Sequence, residues 1–301
     1  MKPIISILIA TYNRSKNLYD IVKILEKQTV NNDQYEIIIT DSFSSDNTKD
    51  VVLELQKEYT NIVYKQDCKN ILANKRNEGI KLSRASIIVF MDDDVYPSDE
   101  KFIENHYMAN VDNSNTFFCG QIRFDLDLVK HSNYFKFRDD QHLKNDSIGI
   151  DLPYNKIVVM NLSFRKEFID KIGYVDERFI NYGCEDTEFG YRIVNNGFRL
   201  RYLKDAVAIH REASNGIVEY GSKIAKNAMY GKKTLMKINM NVLNDLEYNR
   251  FDTKSAFNSF LFNGVFGNIV KNYLIVTDSL RFLYNYYLFK YYLFYINYKC
   301  I

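Results

Sequence analysis

The chain predicts an α/β fold: a mainly parallel central sheet flanked by helices, followed by a helical C-terminal appendage. Three observations carry this reading. Short apolar runs alternate with segments of helical spacing from Ile4 to Met91, the pattern of parallel strands joined by crossover helices. Polar groups fall at the C-terminal ends of those runs, where open parallel sheets bind ligands. From Asn215 the pattern is helical to the end of the chain.

Each element has its own reason. Ile4 to Ala10 is continuously apolar, as a strand buried on both faces should be. Lys16 to Gln28 places Leu18, Ile21, Val22, Ile24 and Leu25 at helical spacing. Tyr35 to Thr40 reads as a second buried strand closed by Asp41. Ser44, Ser45 and Asp46 are N-cap types before a helix over Thr48 to Tyr59. A third strand is expected over Asn61 to Gln66, a helix over Asn70 to Ser83, and a strand over Ser86 to Met91. Val95, Tyr96 and Pro97 then turn the chain. Thr116 to Phe124 reads as a strand, Asp125 to Asp151 as loop or mixed structure, and Lys156 to Met160 as a short strand. A short helix over Arg165 to Ile172 should end at Gly173, and one over Glu185 to Asn196 at Gly197. Arg199 to Leu203 and Ala206 to His210 read as two short strands joined by a Lys204-Asp205 turn.

Composition sets the bounds. The 301 residues are 46% hydrophobic and 26% charged, ordinary for a folded globular chain, with 24 Tyr, 21 Phe and no Trp. The net charge of +2 hides an asymmetry: from Gly221 onward there are 11 Lys and Arg against 4 Asp and Glu, leaving 29 against 34 before it. A basic, aromatic tail on a mildly acidic body points to an anionic surface as partner, and gives little support to nucleic acid. The tail's charge-free stretches, Lys254 to Lys271 and Arg281 to Lys290, fall short of the roughly 18–20 uninterrupted apolar residues of a spanning helix. They suit a helix lying in a membrane interface, or a helical hairpin packed on the body. Cys68, Cys119, Cys184 and Cys300 have no CxxC spacing, and the opening Met1-Lys2-Pro3-Ile4 runs straight into a strand. Both fit a cytoplasmic protein with free thiols, peripheral at the inner face of the plasma membrane.

The chemistry concentrates in Asp92-Asp93-Asp94, at the end of the apolar run Ile87 to Met91. Like charges at a strand tip are costly unless a cation neutralises them, and oxygen ligands suit Mg²⁺ or Mn²⁺. A solvated acidic turn is the plain alternative.

Two later segments change the balance: Tyr182-Gly183-Cys184-Glu185-Asp186, and Val207-Ala208-Ile209-His210. Together with Ser6 to Arg14, with Lys75-Arg76-Asn77-Glu78-Gly79 and with the aspartates, they resemble family 2 glycosyltransferases of the GT-A fold. Gly173 through Asp186 resembles the acceptor-side segment of bacterial chondroitin-type polymerases and related galactosyl and N-acetylgalactosaminyl transferases. The resemblance covers residues 3–212, read as a catalytic domain over 1–212, with 213–301 as a basic, aromatic-rich helical region.

The resemblance implies roles. Thr11, Tyr12 and Arg14 would line the nucleotide pocket, and Asp41 would accept the uracil imide N–H. Arg76 would lie near the donor nucleotide or its phosphates, with Asp92 and Asp93 at the nucleotide-sugar. Asp94 and His210 would hold Mn²⁺ or Mg²⁺. Asp186 would be the catalytic base, at a helix N-terminus that favours its ionised form. Glu185 and Tyr182 would position the acceptor. Glu188 and Arg192 read as an i,i+4 pair. Many relatives carry Trp where this chain has Tyr182, and with no Trp the chain has no Q-x-x-R-W segment. A processive, polymer-extruding synthase is therefore not expected.

The implied activity is inverting transfer of a sugar from a UDP-sugar to a saccharide hydroxyl, on a lipid-carried acceptor in capsule or surface polysaccharide synthesis. Galactose or an N-acetylhexosamine is the favoured donor sugar. A non-catalytic nucleotide-sugar or glycan-binding module of the same fold is the alternative. A nucleotidyltransferase is disfavoured, because Thr11 to Arg14 lacks its Gly-rich phosphate loop.

Overall fold

The computed structural model describes residues 2–143, 151–212, 216–245 and 264–299. The expected helix start at Asn215, Cys300 and part of the Lys254 to Lys271 stretch lie outside them. An eight-stranded sheet runs in the order β3-β2-β1-β4-β7-β6-β8-β5. Its first half is the parallel sheet the alternation predicts. β1 (Ile5–Thr11) pairs in parallel with β2 (Tyr35–Asp41) and β4 (Ile87–Asp92), and β2 pairs with β3 (Ile62–Lys65). The crossovers are α1 (Ser15–Leu25), α2 (Thr48–Glu58) and α3 (Leu72–Leu82).

Alternation along β1 divides the core. Ile5, Ile7 and Ile9 pack with Leu18, Ile21, Val22 and Leu25 of α1 and with Val52 and Leu55 of α2. Leu8, Ile38, Ile88 and Phe90 face the other side, against Ala73 and Ile80 of α3 and Phe189 and Ile193 of α8 (Glu185–Asn195). Both faces of these strands are therefore buried, which is why they read as unbroken apolar runs.

The second half departs from expectation. The strand expected over Lys156 to Met160 lies instead at β7, Asn161–Arg165, antiparallel to β4 and to β6 (Thr116–Arg123). Tyr154–Lys156 is a 3-10 turn. Val95–Pro97 forms β5 rather than a turn, antiparallel to β8 (Arg199–His210). β8 is one strand rather than two: Gly120 opposes Leu203 but Gln121 opposes Val207, so the expected Lys204-Asp205 turn is a bulge within it. α4 (Phe102–Asp112), α5 (Leu126–His131), α6 (Asn133–Leu143) and α7 (Ile169–Ile172) complete the body.

The bulge is held by a buried polar network. Asn161 donates from Nδ2 to the carbonyls of Gln121 (3.3 Å) and Ala206 (3.0 Å), which flank the register shift. His106 of α4 contacts Asn161 Oδ1 and Ser163 Oγ at 2.8 Å each, and Asn110 donates to Ser163 Oγ at 2.8 Å. Burial lowers the His106 pKa to about 4, so the ring is neutral there. Gly120 is required beneath this network, because a Cβ there would lie 2.2 Å from Asn161 Nδ2.

The C-terminal region contributes α9 (Gly216–Ile238), α10 (Met240–Asp245), α11 (Gly264–Val276) and α12 (Tyr286–Lys299). A third, aromatic core ties three of them to α6 and the end of β6: Phe124, Tyr134 and Phe137 pack with Ile217, Leu274, Phe289 and Leu293. No helix among the described residues is long and apolar enough to cross a membrane.

Candidate active site

The polar ends of β1, β2, β4 and β8 meet at one end of the sheet. In-register pairing sets Thr11 beside Asp41 and Ala10 beside Asp92. Thr11, fully buried, donates to Asp93 Oδ2 at 2.8 Å, and its carbonyl accepts from Lys75 Nζ at 3.1 Å. Burial, then the charges of Asp94 and Asp92, raise the Asp93 pKa to about 6, against the lowering by the Thr11 hydrogen bond. Among the described residues, the non-glycine residues with left-handed backbone are Asn13, Phe43 and Cys184. All three lie in the loops after β1 and β2 or at the start of α8. Such strain, about 1–3 kcal/mol per residue, is common where a binding surface must be shaped.

The strand pairing also explains how a residue 116 positions beyond Asp94 reaches it. Val95 opposes His210 in the β5–β8 ladder, and His210 Nε2 lies 3.5 Å from Asp94 Oδ1. Burial raises the Asp94 pKa, but the contact with His210 and the charges of His210, Arg14 and Lys223 outweigh it and hold the carboxyl below its ordinary value. His210 Nδ1 is buried without a hydrogen bond. Among the described residues, no three His, Cys, Asp or Glu side chains converge as a complete metal site. One carboxylate and one imidazole remain, a partial set that fits a divalent ion taking its other ligands from substrate phosphates and water.

Arg76 joins this centre to the start of α8. Only 4% exposed, it donates to Asp92 Oδ1 at 3.0 Å and to Asp186 Oδ1 at 3.1 Å. The guanidinium is thus engaged by two carboxylates, one on each side. At α8, burial raises the pKa of both acids. Glu185 is pushed to about 7 by burial and then by the neighbouring Asp186 charge. Burial also raises Asp186, against the opposing charge of Arg76. Of the pair, Asp186 touches the cation, whereas Glu185 accepts from the Gly183 N–H at 2.5 Å. Glu188 and Arg192 form the expected i,i+4 pair at 2.8 Å.

Asp41 is engaged by its own loop. It is fully buried, and its carboxylate accepts from Ser44 N–H (3.1 Å), Ser44 Oγ (2.6 Å) and Tyr64 OH (2.8 Å). It caps the loop after β2. Tyr12 is 41% exposed at the rim, its ring 5.9 Å from Lys75 Nζ. Tyr182, 51% exposed, lines a hollow of about 210 Å³ with Asp92, Asp94 and His210. Arg14 lines an adjoining hollow of about 170 Å³ with Asp94.

Sequence reading missed Lys75, Arg138, Glu212, Tyr220 and Lys223. Lys75 stood in the quoted segment beside Arg76. For the other four, spacing carried no signal, because α6, α9 and the end of β8 meet only in the folded chain.

Residues 6–168 match the model described as glycosyl transferase family 2. The chain belongs to glycosyl transferase family 2. Residues 140–213 match a second model, described as N-terminal domain of galactosyltransferase. Among curated relatives of this family 2 member, chondroitin synthase of Escherichia coli is 26% identical over 242 residues, 69% of this chain. The chain spans about a third of that protein's length, the match covering 34% of it. A mannosyltransferase from Pyrobaculum calidifontis, solved with GDP-Man and Mn²⁺, has a TM-score of 0.69 at 13% identity, covering 98% of this chain and 85% of that one. S. aureus TarS 1-349 in complex with UDP has a TM-score of 0.54 at 14% identity, covering 98% and 89%. These likenesses establish the GT-A fold for this family 2 chain.

Proposed function

We propose that this protein transfers a sugar from a UDP-sugar, with inversion, to a hydroxyl of a saccharide acceptor, and that it depends on Mn²⁺ or Mg²⁺. The observation that carries this is the Arg76 bridge, which fixes Asp92 at a strand tip and Asp186 at a helix start on either side of one guanidinium. One acid faces the donor and the other the acceptor. Asp186 takes the acceptor hydroxyl proton as that oxygen attacks the anomeric carbon. The bond from that carbon to the phosphate oxygen breaks, and its electrons leave with UDP. A single assigned base, Asp186, with Asp92 given to the donor and Glu185 to the loop, supports inversion. Asp94 and His210 would hold the divalent ion, whose chemistry is to neutralise charge on the departing diphosphate. Glu185 orients the loop through Gly183, and the exposed Tyr182 ring offers a face for an acceptor sugar.

The relative named chondroitin synthase and the acceptor-side segment favour galactose or an N-acetylhexosamine as donor sugar, and surface polysaccharide as product. Residues 1–212 form the catalytic body in this reading. Within residues 213–301, α9 walls the site through Tyr220 and Lys223, and the basic, aromatic region faces an anionic membrane that carries a lipid-linked acceptor. Val265, Ile269, Val276 and Phe282 expose apolar side chains there, near Lys271 and Arg281.

UDP release from a panel of UDP-sugars, with Mn²⁺ or with EDTA, tests the reading in wild type and Asp186→Asn. Donor-selective, EDTA-sensitive release that falls about 10²–10⁴-fold in the variant is expected. Metal-dependent UDP binding with no release, even with saccharide acceptors present, would favour a non-catalytic binding module. An α-linked product from an α-linked donor would exclude inversion.

A further inference from the structure

We propose that Lys223, on α9, contacts the outer phosphate of the donor diphosphate, so that the helical C-terminal region supplies part of the leaving-group site. The inference rests on the donor reading above and adds to it a residue outside the resembling segment.

Lys223 and Asp94 both line each of the two adjoining hollows, of about 170 and 210 Å³. Arg14 enters the first from the loop after β1, and Arg138 enters the second from α6. Lys223 thus stands in the same space as the carboxylate expected to share a divalent ion with a diphosphate.

Two cations meet Glu212, and their contacts are unequal. Arg138 donates to Glu212 Oε2 at 2.7 Å and to Tyr134 OH at 3.0 Å. Its guanidinium is packed 4.1 Å from the Tyr220 ring centroid and 5.2 Å from that of Phe124. Arg138 is therefore fixed, and it already satisfies Glu212. Lys223 Nζ is 3.4 Å from Glu212 Oε1, and its side chain is 60% exposed. That is a weak ion pair, of a kind that contributes little in water. A flexible ammonium with three donors, loosely held beside a better-paired carboxylate, exchanges readily to a phosphate oxygen. Arg14, exposed across the first hollow, offers a second cation to the same anion.

The plain alternative is that Lys223 only props α9 against Glu212. Nucleotide length separates the two roles. Calorimetric titration of uridine, UMP, UDP and GDP, with Mn²⁺, into wild type, Lys223→Gln and Lys223→Arg is the test. Exposure of the side chain makes both variants compatible with the fold. UDP affinity should fall about tenfold in Lys223→Gln, as expected for loss of one charge-assisted contact. UMP should lose less, uridine nothing, and Lys223→Arg should stay within about threefold of wild type. An equal loss across all ligands, or none, would overturn the inference and leave Lys223 as a prop. Failure of wild type to bind UDP or GDP would instead overturn the donor reading on which it rests.

Discussion

The two halves of the sheet solve the same problem differently. In β3-β2-β1-β4, every strand runs parallel, every crossover is local, and the acidic groups arrive at one edge because parallel strands end together. In β7-β6-β8-β5, directions are mixed, and His210 reaches the site only because a bulged strand pairs with a short one on the far side of Asp94. The first half presents a surface by topology alone. The second requires a buried network of Asn161, Ser163 and His106 to hold an irregular strand in place. Ligand-facing residues in the first half are thus cheap to position, and those in the second depend on distant packing.

The largest test of that contrast is Arg76→Met. Beyond the β4–β7 pairing, Arg76 ties α3 and β4 to α8 at the site, and removing it leaves Asp92 and Asp186 without that partner. Loss of a buried charge pairing of this kind costs about 3–5 kcal/mol. Urea unfolding should show a destabilisation of that size, with sugar transfer also lost. A change below about 1 kcal/mol would mean that the two acids are solvated and that Arg76 does not couple the two halves at the site.

A smaller effect is expected in pH dependence. Glu185 has its pKa raised to about 7, mainly by burial, and Asp186 is also raised. Glu185, raised to about 7, is partly protonated at mildly acid pH beside the proposed base. kcat/KM should therefore rise between about pH 6 and pH 8, with an apparent pKa that belongs to the pair. Glu185→Gln removes the member of the pair whose pKa is raised to about 7, so this limb should move to lower pH. A limb unmoved by that substitution would detach Glu185 from the titration.

The smallest effect concerns the outer surface of the C-terminal helices. Phe282→Asp should reduce binding to anionic vesicles in a flotation assay several-fold, with activity on a soluble acceptor unchanged. Phe282 is 83% exposed, so the fold has little stake in it. Equal flotation of the variant and wild type would remove this face as the membrane contact.

The same contrast governs what could be read from sequence. The parallel half was legible because strands buried on both faces are unbroken apolar runs and their helices keep one apolar stripe. α4 and β7 were not, and for one shared reason. His106 and Asn110 occupy the buried face of α4, while Asn161 and Ser163 occupy that of β7. Each pair satisfies the other, so polar residues stand where a periodicity search expects apolar ones. α6 is similar, since it buries Arg138 and Asp139. At the site, Asp94, His210 and Asp186 were named through motif resemblance, whereas Arg138, Glu212 and Lys223 are brought together by three elements that converge in the fold. At Asp41 the sequence shows no loop contact, because a carboxylate at a strand end looks the same whether it faces a ligand or caps its own loop.

One guanidinium serving two carboxylates has a thermodynamic corollary. A ligand that draws Asp92 away from Arg76 leaves that cation more fully committed to Asp186, and so changes the proton affinity of the base. By linkage, the protonation of Asp186 changes the affinity for that ligand by the same factor. In the proposed reaction, donor occupancy and readiness of the acceptor base are then two readings of a single equilibrium, set by Arg76.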